Sequence, residues 1–288
     1  MRVAVLQLRV DDTEPWQERL ERVVALVEAQ RGAELVVLPE LWLPGAFNAD
    51  LFADVATDLD GPIVARFSQA ARRIDAYLMA GTFIERPGAV AAEKPPAPAR
   101  HLSPDSQHPA APPQAAGSAI GHNTAVLFGP DGEILHVYRK VHLFGFDEGE
   151  VRLLVPGNEV RVCPLPGLAT YGTSTCYDVR FPELYRILVD QGCDLLVIPS
   201  GWPASRLEHW QILTRARAIE NQLFLIGCNE TGVQGGVELG GHSVVIDPWG
   251  RVVAEAGSEE EILHVDIDMS LVKKIRNEFP VLRDRRLR

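Results

Sequence analysis

The order of apolar and polar residues along this chain follows two patterns, which predict strands and helices in alternation. Residues 2–8 alternate Val and Leu with small or polar residues, as a strand does, whereas residues 15–30 repeat apolar side chains at helical spacing. The short apolar run at 34–38 is typical of a strand covered on both faces. Further strands are predicted at 76–84, 123–128, 134–139, 169–175, 194–198, 222–228, 242–247, 251–255 and 262–268, and further helices after Gly61, at 181–190 and at 207–221.

Turn sequences join several of these strands directly, which indicates antiparallel pairs as well as parallel ones. The sequence GPDG at 129–132 lies between two predicted strands and favours a tight hairpin, and PWG at 248–250 marks a second turn. Strands that interleave with helices and also form hairpins predict an α/β sandwich with mixed sheets. We find no internal repeat, so we expect residues 1–288 to form one domain.

Residues 94–117 differ from the rest of the chain in composition. They hold seven of the 21 prolines and almost no large apolar side chain. Such a segment cannot bury enough surface to offset the entropy lost on ordering, so we interpret it as a flexible insertion between two strands. A tolerated surface insertion is the simpler interpretation, and a substrate lid is the alternative. Residues from about 270 form a C-terminal tail, which is basic at 283–288.

Charge and cysteine content exclude several classes of function. The 288 residues carry 39 acidic side chains against 28 Lys plus Arg, a formal net charge of −11, which gives no electrostatic reason to bind nucleic acid or an anionic membrane. No apolar run reaches the roughly 20 residues of a membrane helix, and the first residues are too interrupted for a secretory signal. Four cysteines without a C-x-x-C pair are too few for a disulfide scaffold. We therefore expect a reduced, cytoplasmic protein.

Glu40 follows a predicted strand, where α/β sheets place their ligands, and Lys140 ends a predicted hairpin strand. The apolar residues after Glu40 should remove its carboxylate from water. Lys140 opens an apolar segment that also contains Glu148 and Glu150, either of which could supply a second carboxylate. Taken separately, each residue is also typical of a protein surface, as a solvated carboxylate or an exposed lysine.

Cys176 lies between a Thr- and Ser-rich strand and a helix that Pro182 opens. Such a strand-to-helix elbow exposes its central side chain and points backbone N–H groups at the same place, as serine hydrolases do with their nucleophile. Cys163 and Cys228 lie in apolar strands and are interpreted as core residues, and Cys193 is interpreted as a packing position between a helix and a strand. Cys176 is therefore the candidate nucleophile, although a packed thiol is the alternative.

A reactive thiol needs a base beside it. His142, His209 and His242 are available, but none lies in a motif that pairs it with Cys176. No His, Cys or carboxylate residues have the spacing of a zinc finger or of H-E-x-x-H, so we expect neither a metal nor another cofactor.

Three segments, LPELW at Glu40, YRKVHLF at Lys140 and TCYDVRFPELYR at Cys176, together resemble the signatures of the carbon–nitrogen hydrolase (nitrilase) superfamily. They occur in that family's order, and SGWPASRLEHWQILTRARAIENQ and GGHSVVIDPWG are similar to its amidase branch, which contains ω-amidases. The resemblance covers nearly the whole chain. It implies a four-layer α-β-β-α sandwich in which the three residues meet at one end. It also implies a second glutamate, for which Glu150 is favoured and Glu148 is the rival.

The resemblance implies a chemistry as well. We expect a thiol amidohydrolase that cleaves a small linear, non-peptide amide to carboxylic acid and ammonia through a thioester on Cys176. In this hypothesis Glu40 is the base and acid, and Lys140 and the backbone N–H of Tyr177 stabilise the oxyanion. Glu150 is expected to orient the lysine or the substrate.

Several alternatives stay open. Tyr177 and Asp178 after the cysteine are similar to amidases, whereas true nitrilases usually carry Trp-Glu there. A nitrilase, a deaminated-glutathione amidase or an N-carbamoyl amide hydrolase would use the same residues, and a non-catalytic binding or assembly module belongs to another class. Arg180 and Trp202 are interpreted either as pocket residues or as a buried ion pair and a core aromatic. The resemblance further implies a homodimer or higher homo-oligomer through the helices after the cysteine and around 207–220.

Overall fold

The computed structural model describes residues 1–86, 119–145 and 149–287. The predicted insertion at 94–117 and Glu148, the rival second glutamate, lie outside the described residues. The strands are β1 (Arg2–Gln7), β2 (Leu35–Val37), β3 (Tyr77–Glu85), β4 (His122–Phe128), β5 (Ile134–Arg139), β6 (Val162–Leu165), β7 (Ala169–Thr173), β8 (Leu195–Pro199), β9 (Phe224–Cys228), β10 (Thr231–Gln234), β11 (Val237–Gly240), β12 (Val244–Ile246), β13 (Val252–Glu255) and β14 (Glu261–Asp266). The helices are α1 (Trp16–Glu28), α2 (Phe52–Val55), α3 (Pro62–Ile74), α4 (Glu150–Leu153), α5 (Pro182–Asp190), α6 (Leu207–Asn221) and α7 (Ser270–Glu278).

Two six-stranded sheets form the centre of the molecule. The first has the order β14-β1-β2-β3-β4-β5 and the second the order β13-β12-β9-β8-β7-β6. In each sheet the middle strands run parallel, as β1, β2 and β3 do, and the outer strands are antiparallel. The hairpin predicted from GPDG joins β4 to β5. Both sheets are therefore mixed, as predicted.

Alternate residues of β1 show how the layers stack. Val3 and Val5 belong to the core that includes the strands of the second sheet, whereas Ala4 and Leu6 belong to the core beneath α1 and α3. On the far side, Trp210 of α6 packs against β9 so closely that a β-carbon on Gly227 would lie 2.7 Å from its ring. The resulting order is helix, sheet, sheet, helix. The predicted four-layer α/β fold is confirmed.

Several elements are not predicted from the sequence pattern, including the short helices α2 and α4, the hairpin of β10 and β11, and α7. The hairpin of β10 and β11 is rich in glycine and has no clear apolar alternation, and carboxylates of another segment hold its backbone: Val233 N–H donates to Asp11 and Gly235 N–H to Asp12. The tail from about 270 begins with α7, which buries only Val272 and Ile275. This hairpin and α7 depend on tertiary contacts more than on local periodicity.

The ends of several strands meet at one edge of the sandwich. Glu40 follows β2, Lys140 follows β5, Cys176 follows β7 and Gly201 follows β8. Open α/β sheets bind ligands at the carboxyl ends of their parallel strands. The topology therefore gathers the candidate residues before any side-chain contact is considered.

Candidate active site

Glu40 lies in a tightly held loop after β2. The next residue, Leu41, has a φ of 44°, which is rare for a residue with a β-carbon, and its N–H donates to Thr82 Oγ at 2.9 Å. Arg19, a fully buried arginine of α1, donates to the carbonyl of Leu43 at 2.8 Å. These contacts fix the backbone on the carboxyl side of Glu40, whose own side chain is buried.

The Lys140 ammonium is the centre of a buried ionic cluster. Its Nζ donates to Glu40 Oε1 at 2.8 Å and to Glu150 Oε2 at 2.7 Å, and the lysine is only 1% exposed. Burial disfavours the ammonium, but the two carboxylates outweigh it and raise the pKa of Lys140 well above its ordinary value. The lysine therefore stays charged, although it is withdrawn from water.

Glu150 opens α4 and is held from two sides. Its Oε2 accepts the Lys140 ammonium and the backbone N–H of Phe144 at 2.7 Å. Burial, together with the charge of Glu40, raises its pKa, and Lys140 opposes this shift. The side chain thus stands where the second glutamate was expected, in contact with the lysine.

Cys176 lies at a sharp turn between β7 and a short 3-10 turn (Cys176–Arg180). Its φ of 45° is unusual for a non-glycine residue, and such strained positions are frequent at functional sites. Asp178 holds the turn: one of its oxygens accepts the N–H of Thr175 at 2.9 Å, and the other accepts the N–H of His142 at 2.9 Å. The same carboxylate therefore ties the cysteine turn to the segment that follows Lys140.

The Cys176 thiol faces Glu40, Lys140 and Ser200. Burial and the negative charge of Glu40 raise the pKa of this thiol, while the Lys140 ammonium and the Ser200 hydroxyl lower it. The resting cysteine therefore holds its proton at neutral pH. A carboxylate that could accept this proton is its immediate neighbour.

These groups form one end of a cavity of about 590 Å³. Its other walls are largely aromatic, and two arginines lie over them: the guanidinium carbon of Arg180 is 4.8 Å from the centre of the Trp202 ring, and that of Arg206 is 5.4 Å from the centre of the Phe144 ring. Among the described residues neither guanidinium contacts a carboxylate. Arg180 is therefore a pocket residue and not part of a buried ion pair within the described ranges, whereas Trp202 lines the cavity and is also a core aromatic. Tyr177, the residue after the cysteine, also lines the cavity.

The sequence profile described as "Carbon-nitrogen hydrolase" matches residues 2–277. The chain belongs to this family. Among other carbon–nitrogen hydrolases, a 2-oxoglutaramate amidase of Paenarthrobacter nicotinovorans is 41% identical over 288 residues, which cover 99% of this chain and 89% of that protein. An omega-amidase of Xenopus tropicalis is 32% identical over 295 residues, which cover 99% of this chain and 95% of that protein.

A solved carbon–nitrogen hydrolase has the same fold. The amidase from Nesterenkonia sp. AN1, in a structure that shows acrylamide added to its active-site cysteine, superposes with a TM-score of 0.74 at 26% identity. The match covers 99% of this chain and 99% of that chain. The resemblance inferred from the sequence segments is thereby confirmed.

The three histidines considered as bases each have another neighbour in this carbon–nitrogen hydrolase. His142 Nδ1 lies 2.8 Å from Asp178, His209 accepts from an arginine, and His242 Nδ1 lies 2.9 Å from Glu255. In the described ranges, no cluster of three His, Cys, Asp or Glu side chains is arranged to hold a metal ion, and no helix is both long and apolar enough to cross a membrane.

The sequence-based interpretation does not include Asn123 and Gly201, which hold the glutamates, nor Ser200 and Arg206, which lie by the thiol and in the cavity wall. Asn123 donates from Nδ2 to Glu40 at 2.8 Å and to Glu150 at 2.6 Å, and the backbone N–H of Gly201 donates to Glu40 Oε2 at 2.9 Å. Asn123 reads as one polar position in a strand. Gly201 contributes only its backbone N–H, so no side chain in the sequence indicates its role. Its position shortly after an apolar strand is a weak indication of a site residue.

Proposed function

We propose that this carbon–nitrogen hydrolase is a thiol amidohydrolase, which converts a small linear amide to a carboxylic acid and ammonia. The observation that carries the proposal is the convergence of Glu40, Lys140 and Cys176 at one end of a cavity large enough for a small molecule. Relatives named as amidases support the choice of an amide as substrate.

The reaction begins with the proton of the thiol. Glu40 Oε1 accepts hydrogen bonds from Lys140 and Asn123, whereas the one hydrogen bond to Oε2 from the described residues comes from the N–H of Gly201. Oε2 therefore takes the proton from Cys176, and the sulfur forms a bond to the amide carbon. The carbonyl oxygen becomes an oxyanion, which the Lys140 ammonium and the backbone N–H of Tyr177 stabilise.

The collapse of this intermediate releases ammonia and leaves a thioester. Glu40 returns its proton to the departing nitrogen as the C–N bond breaks. The same carboxylate then accepts a proton from water as the water oxygen bonds to the thioester carbon. The C–S bond breaks, the acid leaves, and Glu40 returns the proton to the Cys176 sulfur. Glu150 holds the lysine in place during both steps. One carboxylate thus serves as base and acid in turn.

The cavity also suggests the substrate class. Arg180 and Arg206 offer two positive charges, away from the buried cluster, on walls that are otherwise apolar. A guanidinium over an aromatic ring can still donate to a carboxylate. Among the described residues Arg180 also donates to His209 Nδ1, at 3.3 and 3.4 Å, whereas Arg206 has no such side-chain partner. We propose a short amide with a carboxylate at its far end, a class that includes 2-oxoglutaramate, the compound in the names of two relatives.

Ammonia release from matched compounds tests the proposal. Glutaramate and 2-oxoglutaramate should be hydrolysed faster than butyramide, and the corresponding nitriles should react poorly. Cys176→Ala should remove all turnover, whereas Cys163→Ala, which changes a thiol of the core, should retain it. Turnover by Cys176→Ala, or a preference for nitriles, would contradict the proposal.

Arg206→Gln tests the substrate class separately. The loss of one charged hydrogen bond to a substrate carboxylate should raise KM for glutaramate about tenfold or more. The value of kcat/KM for butyramide, which has no carboxylate, should not change. An equal loss for both amides would show that Arg206 shapes the cavity and does not select the substrate.

We also propose one domain, a cytoplasmic location and a homodimer. The outer helices support the dimer, because Ile187 of α5 and both Ile212 and Ile219 of α6 are about half exposed. Sedimentation at low micromolar concentration should give twice the mass of the chain, and a monomer throughout would reject the dimer.

A further inference from the structure

The side-chain amide of Asn123 closes a ring of hydrogen bonds around the two buried glutamates. Its Nδ2 lies 2.8 Å from Glu40 Oε1 and 2.6 Å from Glu150 Oε1, while Lys140 donates to the same two carboxylates from the other side. Asn123 is fully buried. The ring therefore has two donors, one charged and one neutral, between two acceptors.

The orientation of this amide follows from its neighbours. An asparagine NH₂ group has two protons, and both are used here, one on each carboxylate. The opposite orientation would turn the Asn123 oxygen towards two carboxylate oxygens, which is repulsive. Oδ1 is buried without a hydrogen-bond partner among the described residues. An unsatisfied buried oxygen is costly, so the contacts of the NH₂ group outweigh that cost.

The neutral donor solves a problem of charge. Among the described residues, Lys140 is the one cation in contact with these two buried carboxylates, and burial together with the charge of Glu40 raises the pKa of Glu150. A second cation would neutralise the pair and weaken Glu40 as a base. Glu230 is a further buried glutamate near Glu40, and burial and the charge of Glu40 raise its pKa well above the ordinary value. An aspartate in place of Asn123 would add another negative charge beside Glu40. An amide supplies hydrogen bonds to both carboxylates without changing the total charge.

We propose that Asn123 is a positioning residue for the acid–base chemistry of Glu40. Together with Lys140 it occupies Oε1, so that Oε2, which accepts the Gly201 N–H, is the oxygen left to take the proton of the thiol, and it stabilises the ionised form of both glutamates. This inference rests on the proposed function, because it assigns Glu40 the proton of Cys176.

Thr124 offers a matched control. It is the next residue of β4, it is also fully buried, and its hydroxyl donates to the buried carboxylate of Glu85 at 2.7 Å. Thr124→Val therefore removes a hydrogen bond to a buried glutamate that does not belong to the site. Asn123→Ser and Asn123→Asp both remove the hydrogen bonds of the amide. The serine variant adds no charge, so it still tests the proposal if the aspartate variant does not fold.

The readout is the rate at which iodoacetamide alkylates Cys176 between pH 4 and 9, followed by mass spectrometry, beside kcat/KM for glutaramate. The acidic limb of this profile is the pH range in which the alkylation rate falls as the pH is lowered. In Asn123→Ser the midpoint of the acidic limb should shift to higher pH by about one unit, because hydrogen bonds that favour the ionised carboxylates are lost. The value of kcat/KM should fall about 100-fold, mostly through kcat. Asn123→Asp should shift the limb further. Thr124→Val should lower Tm to a similar extent and leave the limb in place.

An alkylation profile of folded Asn123→Ser that coincides with the wild-type profile would overturn the proposal, as would an equal shift in Thr124→Val. The alkylation assay needs no amide substrate. If the wild-type chain hydrolyses no amide, the proposed function fails, and the position of the acidic limb still decides whether Asn123 controls the proton of Cys176.

Discussion

Two networks of buried carboxylates and cations lie side by side at β4 and the end of β5, and only one of them belongs to the candidate site. Thr124 and Arg139 hold the buried carboxylate of Glu85, with Arg139 donating twice at 2.6 and 2.7 Å. Their sequence neighbours Asn123 and Lys140 hold the two glutamates of the candidate site. Successive residues of a strand point to opposite faces, so adjacent positions serve separate networks.

The two networks differ in how the cation is shared and in what lies beside the carboxylate. Arg139 meets Glu85 through two parallel hydrogen bonds, and its side chain is 42% exposed at the rim of the sheet. Lys140 is shared between two carboxylates, and one of them also faces the Cys176 thiol. A buried glutamate with a cation is therefore not by itself a sign of catalysis. The signs are the neighbouring thiol and the cavity.

Paired glutamine substitutions should separate the networks most strongly. Glu40→Gln removes the proposed base and acid, so kcat for glutaramate should fall about 10⁴-fold. Glu85→Gln should leave kcat within about threefold and act mainly on Tm. Steady-state kinetics and thermal melts of both variants provide the measurement. Equal losses of kcat would mean that the two networks work as one unit.

Substitution of the adjacent cations should give the next largest effect. Lys140→Met leaves two buried carboxylates without a cation, which costs about 3–5 kcal/mol of unfolding free energy, and it removes an oxyanion donor, which costs about 10²–10³-fold in kcat. Arg139→Met removes a partly exposed pair and should cost about 1 kcal/mol. Urea unfolding and kcat of the two proteins test this contrast. A greater loss of stability in Arg139→Met would reverse our assignment of the networks.

The smallest effect concerns His136, which lies on β5 outside both networks. Burial lowers its pKa to about 4 from an ordinary 6.5, so the folded protein favours the neutral imidazole. Its contribution to stability is complete above pH 6.5 and is lost as the pH falls towards 4, by about 3 kcal/mol at most. His136→Gln should flatten the dependence of Tm on pH in this window and leave kcat at pH 7 unchanged. A variant with an unaltered slope would show that other groups cause the loss of stability.

Much of this site can be predicted from short local segments of the sequence. Glu40, Lys140 and Cys176 each follow a recognisable strand within a distinctive segment, and GPDG predicts the hairpin that orders β4 and β5. The structure brings the three side chains and Glu150 together. The family assignment made from the same segments agrees with the comparisons.

The remaining contacts depend on residues far apart in the chain. Asn123 meets Glu40 across 83 positions, and Gly201 meets it across 161. Neither partner changes the local apolar pattern, so no periodicity could identify them. The hairpin of β10 and β11 is missed for a related reason, because carboxylates near residue 12 hold its glycine-rich backbone.

The length of the turn between β4 and β5 determines which residue enters the cavity about ten residues further along the chain. The turn sets the pairing of Thr124 with Arg139, and with it the identity of the cation that enters the cavity. A strand that slips by one residue exchanges its two faces. The insertion or deletion of one amino acid in GPDG would thus present Arg139 to the thiol and turn Lys140 outwards, with every side chain still intact. We therefore expect that this turn tolerates substitutions better than insertions or deletions.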